Sequence, residues 1–202
     1  MTNGRPGFPV ERTIGAEEWD ALEISGAEFR RVLFQDVDMT ELIDHGSTFE
    51  ECTFGNVRFN VSEHTDARFL NCLFVRCSFF DATFTGCKMT GSGFESCTYG
   101  LLKAEGGDWS YTRLAQADLR GSTIDGVRLR EADLSGARLE GATLRRSDLS
   151  GAWLRGADLT KCDLRGSDLG TLDPAEVTLK GAIIDPAQAM TVATALGLVV
   201  RP

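Results

Sequence analysis

A large apolar residue returns every five positions along most of the chain. From 134 to 169 it is always leucine: Leu134, Leu139, Leu144, Leu149, Leu154, Leu159, Leu164 and Leu169. Upstream the same frame is filled mainly by rings, and ten of the twelve phenylalanines fall on it, from Phe29 to Phe94. Between Ile24 and Ile184 the frame has 33 sites, and only Asp44, His64, Ala104 and Pro174 depart from it. Two residues before each large residue stands a second class, mostly small (Ala132, Ala137, Ala142, Ser147), in which no member is charged. A helix repeats near 3.6 residues and a strand near 2, so neither alone produces this spacing.

Positions two apart in an extended segment point the same way. Each unit therefore sends one small and one large side chain inward, with the residue between them facing out. The remaining two, often a glycine beside Arg, Ser or Glu, suit a corner with positive φ. Strands this short cannot bury a face alone, so the units must stack on copies of themselves as an all-β solenoid.

The last residues break the period. "DPAQAMTVATALG" predicts a helix with Asp185 as N-cap, Pro186 in the first turn, Gly197 as stop, and an apolar stripe of Ala189, Val192, Ala193 and Leu196. Residues 198–200 then read as a short apolar strand. The expected organisation is a partly flexible lead-in over 1–21, the repeat over 22–185, and a cap over 186–202 that covers the open end of the stack.

Five of these units, "ADLSG", "SDLSG", "ADLTK", "CDLRG" and "SDLGT", resemble the motif of the pentapeptide-repeat family, and the resemblance extends over about residues 22–185. It implies a right-handed quadrilateral β-helix in which residues 20 apart stack. Asp44, His64 and Ala104 would then share one column, which makes 43–47 and 101–108 the least regular places and raises the question of projecting loops. The uninterrupted frame speaks against full loops. His64 above Asp44 could form a local ion pair or turn outward as a kink; the kink is expected, because burying the pair would have to overcome desolvation.

Charge separates the two halves. The chain carries a net charge of -9, yet residues 1–110 hold 18 acids and 9 bases while 111–202 hold 12 of each. An acidic surface argues against direct nucleic-acid binding. Sorting the acids by column yields no uniformly acidic stripe. The first 20 residues lack an apolar signal core and no run reaches membrane-spanning length, so a cytoplasmic protein without membrane contact is expected.

All six cysteines (Cys52, Cys72, Cys77, Cys87, Cys97 and Cys162) occupy the small inward class, which predicts free, buried thiols in a reducing compartment. His45 and His64 are the only histidines, too few for an evident metal site or general base. With no phosphate-binding glycine loop either, no enzymatic activity, cofactor or metal is expected.

The Phe-rich then Leu-rich order and the ending "IDPAQAMTVATALGLVV" resemble the fluoroquinolone-resistance branch of the family, the MfpA and Qnr proteins. Those relatives are dimers joined through their C-terminal ends that bind DNA gyrase as DNA mimics and protect it from quinolones. The resemblance implies a gyrase or topoisomerase IV partner, met by the field of Asp36, Asp38, Glu41, Asp44, Glu50, Glu51, Glu63, Asp66 and Asp81. It also implies a homodimer, with the outward Trp153 and the terminal Val192, Leu196, Leu198, Val199 and Val200 at the contact. The alternative is an interaction scaffold with an unrelated partner, using the outward Leu70, Leu73, Val75 and Phe80.

Overall fold

The computed structural model describes residues 9–16 and 19–201. The chain winds as a right-handed parallel β-helix closed at its C-terminal end by one short helix. Every parallel pair joins residues 20 apart, as Ile14 with Phe34, Phe54 with Phe74 and Ile124 with Leu144. One coil is therefore four five-residue sides. The first side is a five-stranded sheet running from Arg12–Gly15 to Gly93–Glu95. The third is a seven-stranded sheet from Glu23–Ser25 to Thr143–Arg145, and the fourth has three strands, Glu28–Arg30, Thr48–Glu50 and Arg68–Leu70. Single bridges such as Asp38 to Arg58 and Ser78 to Thr98 hold the second side.

The period-five frame is the core. Phe34, Phe54, Phe74 and Phe94 stack face to face with centroids 4.8 Å apart, and Phe49 lies 4.7 Å from Phe69. Neighbouring columns meet edge to face, as at Phe49 and Phe54 (5.6 Å, 63°), the arrangement ring quadrupoles favour. Each such ring withdrawn from water contributes roughly 1.5–3 kcal/mol. At the corners the second residue takes a positive φ whether or not it is glycine, including Asp36 (58°) and Val61 (57°). The corner amide repeats one bond per side: Asp36 N–H donates to Gly55 O at 2.9 Å.

The coil begins earlier than the sequence boundary at 22. Arg12–Gly15 pairs with Val32–Gln35, Ile14 is buried, and Trp19 packs on Phe29 and Phe34. The rest of the expected lead-in, residues 1–8 and 17–18, lies outside the described residues. Neither irregular segment projects, since Ile43–His45 and Lys103–Glu105 are ordinary strands of the seven-stranded sheet. Ala104 is small because the indole of Trp109 fills its space, edge-on to Phe84 at 5.8 Å. Gly107 has φ +83°, and a Cβ there would sit 2.1 Å from Cys87 O.

Asp44 and His64 do not turn outward; both are buried inside the column. His64 Nδ1 lies 3.1 Å from Asp44 Oδ2, its Nε2 lies 3.1 Å from Ser62 Oγ, and Ser47 N–H donates to Asp44 Oδ1 at 3.2 Å. These partners offset the desolvation that argued for a kink.

The helix spans Pro186–Ala195 with Asp185 as its N-cap, closed by a reciprocal pair: Gln188 N–H donates to Asp185 Oδ1 (2.9 Å) and Asp185 N–H to Gln188 Oε1 (2.8 Å). Its inward stripe is Gln188, Val192 and Ala193, whereas Ala189 and Leu196 face solvent. Gln188 is buried because its Nε2 donates to Leu164 O (2.6 Å) and Ser167 O (2.8 Å), plugging the last coil. Residues 198–200 form no strand. Among the described residues no helix is long and apolar enough to cross a membrane.

Candidate interaction surface

The nine acids expected to supply a field fall into four groups. Asp44 is buried and presents nothing to a partner. Asp38, Glu50, Glu51 and Asp81 are engaged by Arg58, Arg30, Arg31 and Lys103, with Glu51 to Arg31 and Asp81 to Lys103 both at 2.7 Å. The Arg58 hydrogen bond holds the Asp38 carboxyl down at about 2. Asp36 accepts from Asn56 Nδ2 at 2.7 Å, which lowers its pKa. The carboxylates of Glu41, Glu63 and Asp66 have neither hydrogen bond nor ion pair among the described residues.

These three lie together on the third side and its edges. Asp20 and Glu41 stand on the edge shared with the second side, Glu23 and Glu63 on the sheet itself, and Asp66 on the edge toward the fourth side. Sequence reasoning missed Asp20 and Glu23. No lysine or arginine occurs on this side in the described coils before Lys103. The signal was present in the sequence, since Arg30, Arg31, Arg58, Arg68 and Arg76 all fall on other sides once the bases, as well as the acids, are sorted by column. In the C-terminal half, by contrast, opposite charges one coil apart neutralise each other, as Arg128 with Asp108 (2.9 Å) and Arg138 with Asp118 (3.4 Å). Each exposed pair is worth only about 0–1 kcal/mol, but together they quench the field there and leave it standing at the acidic end.

Among the described residues three apolar patches are exposed. On the edge between the second and third sides, Val61, Phe80 and Leu101 form a ridge beside the acidic face, with the Phe80 ring lying over Gly100. Leu70, Leu73 and Val75 are half-buried. On the first side Trp153 is 64% exposed in a shallow depression with Arg155, Thr171, Asp173 and Glu176. No helix residue lines that depression, so it does not unite Trp153 with the terminal group. At the cap, Leu196, Leu198, Val199 and Val200 are exposed while Val192 packs inward against the core.

Ser62, His64 and Asp44 have the residue types of a nucleophile, base and orienting carboxylate, but they are 0–1% exposed and do not line the depressions at Trp153, Cys97 or Phe29. The arrangement satisfies buried polar atoms. Among the described residues no three His, Cys, Asp or Glu side chains converge as metal ligands.

The family model for pentapeptide repeats matches residues 104–136 and 132–170, with eight copies. No curated protein matches the chain by sequence. Three solved structures of QnrB1, described as a plasmid-mediated fluoroquinolone resistance protein, share the fold. A trypsin-treated variant superposes with a TM-score of 0.68 at 24% identity, covering 89% of this chain and 100% of that one. A second treated variant gives 0.59 at 21% identity, covering 96% and 97%. The full-length form gives 0.56 at 21%, covering 93% and 98%. The matched stretch identifies residues 104–170 as pentapeptide repeats, and five-residue sides continue unbroken on both sides of it, with a backbone that follows this fold along nearly its whole length.

Proposed function

We propose that the protein is a non-catalytic, cytoplasmic DNA mimic that binds DNA gyrase or the related topoisomerase IV, modulates supercoiling, and protects the enzyme from quinolones or a related poison. The observation that carries this reading is the acidic third side, where Asp20, Glu23, Glu41, Glu63 and Asp66 face solvent without a neutralising partner among the described residues. A basic DNA-binding groove responds to potential and shape, so a narrow rod with one uncompensated acidic face meets its electrostatic requirement. Asp38, Glu50, Glu51 and Asp81 add less because their charge is already shared with Arg58, Arg30, Arg31 and Lys103, Asp44 is buried, and Asp36 stands apart on the edge between the first and second sides.

The test is a gyrase supercoiling assay with and without a quinolone, alongside direct binding at several salt concentrations. The combined variant Glu23→Gln, Glu41→Gln, Glu63→Gln, Asp66→Asn is expected to weaken binding and flatten its salt dependence, while Glu50→Gln with Glu51→Gln leaves both nearly intact. Wild-type protein that neither binds gyrase at low salt nor alters supercoiling would end this reading.

We further infer a homodimer in which the exposed Leu196, Leu198, Val199 and Val200 meet across the capped ends, with Trp153 as a flanking contact. Sedimentation should show a monomer after Leu198→Asp with Val199→Asp. A second reading, a scaffold for a different partner, rests on the ridge of Val61, Phe80 and Leu101. In that case Phe80→Ala abolishes binding and the acid variants do not.

A further inference from the structure

From Val32 to Leu172 the column of small residues stays buried except at Cys97 and Gly107. Both lie where the core changes its filling, as Phe94 gives way to Leu114 and Tyr99 to Leu119 one coil later. Below this point the rings keep pace, with Phe59 5.0 Å from Phe79, but Tyr99 stands 5.9 Å from Phe79. A leucine fills less width than a ring, so the wall steps inward. A surface depression lined by Cys97, Thr98, Tyr99, Gly100, Asp118 and Arg120 opens at the step.

Cys97 is partly buried there, at the edge of the depression, and Cys77 lies fully buried one coil beneath it. The Ser78 to Thr98 bridge fixes the two in register, with Thr98 N–H donating to Cys77 O at 3.0 Å. Each thiol donates to the carbonyl 23 residues earlier, Cys77 to Phe54 O (3.3 Å) and Cys97 to Phe74 O (3.5 Å), so the sulfurs point in parallel. The strand spacing of about 4.8 Å falls inside the Cα separation of roughly 4.4–6.8 Å found for disulfides. Of the two thiols only Cys97 meets the depression, so it is the one an oxidant reaches first, and Cys77 lies in register beneath it. Cys52 and Cys72 stack in the same way but are both sealed from solvent, and they serve as an internal control.

We propose that Cys97 is a site of reversible oxidation by peroxide, resolved by Cys77 into a disulfide that staples two successive coils. The Cys97 sulfur attacks one peroxide oxygen; an S–O bond forms, the O–O bond breaks, and the departing hydroxide takes up a proton to leave as water. The Cys77 sulfur then attacks the sulfenic sulfur; an S–S bond forms, the S–O bond breaks, and the hydroxide leaves with the Cys77 proton as a second water. Two thiols and one peroxide thus yield one disulfide and two waters. The parallel stack holds the Cβ atoms near the strand spacing, wider than the mean of about 3.8 Å in relaxed disulfides, so the staple is strained and returns readily to thiols under a reductant.

The test uses the full chain treated with hydrogen peroxide, blocked with iodoacetamide and mapped by mass spectrometry. A cross-linked Cys77–Cys97 peptide that dithiothreitol releases is expected. Without oxidant, iodoacetamide should modify Cys97 at least about tenfold faster than Cys52, Cys72, Cys87 or Cys162. Cys77→Ser should accumulate a dimedone-reactive sulfenic acid at Cys97, and Cys97→Ser should show neither product. If either variant fails to fold by circular dichroism, the wild-type map decides alone. An unreactive Cys97, or Cys52 and Cys72 reacting at the same rate, overturns the proposal.

Discussion

The imidazole of His64 lies flat on the ring of Phe84, with centroids 4.8 Å apart and planes inclined by 4°, while its Nδ1 is 3.1 Å from Asp44. A position that departs from the apolar frame is thus kept in the column by aromatic shape on one face and a carboxylate on the coil below. His64→Leu would leave Asp44 buried without this partner and is expected to cost about 3–5 kcal/mol. Asp44→Leu combined with His64→Phe should recover most of that loss. Urea unfolding midpoints measure both, and a double variant as unstable as the single one would contradict the account.

Gly107 cannot accept a side chain, because its φ is positive and Cys87 O occupies the space. Gly107→Ala should destabilise by more than about 2 kcal/mol, strain and clash together. Gly126→Ala has a similar φ but open space around it, and should cost only about 1–2 kcal/mol. Thermal melts of the two variants separate clash from conformation.

Acid should weaken the fold through carboxylates such as Asp38. Its folded value near 2 lies below the ordinary 3.8, so the unfolded chain binds more protons between them. The stabilisation is complete above 3.8 and disappears as pH falls toward 2. Asp38→Asn should lose less stability than wild type across that interval, as followed by circular dichroism at fixed low urea.

Removing the plug should loosen one end only. Gln188→Ala deletes the amide that bonds Leu164 O and Ser167 O, at an expected cost of about 1–3 kcal/mol. Hydrogen exchange should accelerate around residues 159–169 while amides near Phe54 stay protected. Uniform acceleration would show that the coils open together.

The repeating core was legible because each side obeys one local rule, apolar residues two apart and then a corner. The number of sides was not, since a period of five closes equally well with other counts; that came from the resemblance. Asp44 and His64 were misjudged because their rescue depends on Ser47 and Ser62, whose hydroxyl and amide geometry no spacing announces. The helix was placed by Asp185 and Gly197, but its inward stripe shifted toward Gln188, because the carbonyls of the last coil needed donors more than Leu196 needed cover. The acidic face became visible only when bases and acids were placed on the same four sides.

Strand partners in this fold all stand one coil apart, so no rung of the ladder depends on the total length of the chain. Excising twenty residues would rejoin like to like and shorten the shaft by one graduation, about 4.8 Å. Excising five would swing everything downstream through a quarter turn, carrying each face onto its neighbour's bearing. The molecule is a ruler, and evolution can cut it to measure only in whole marks.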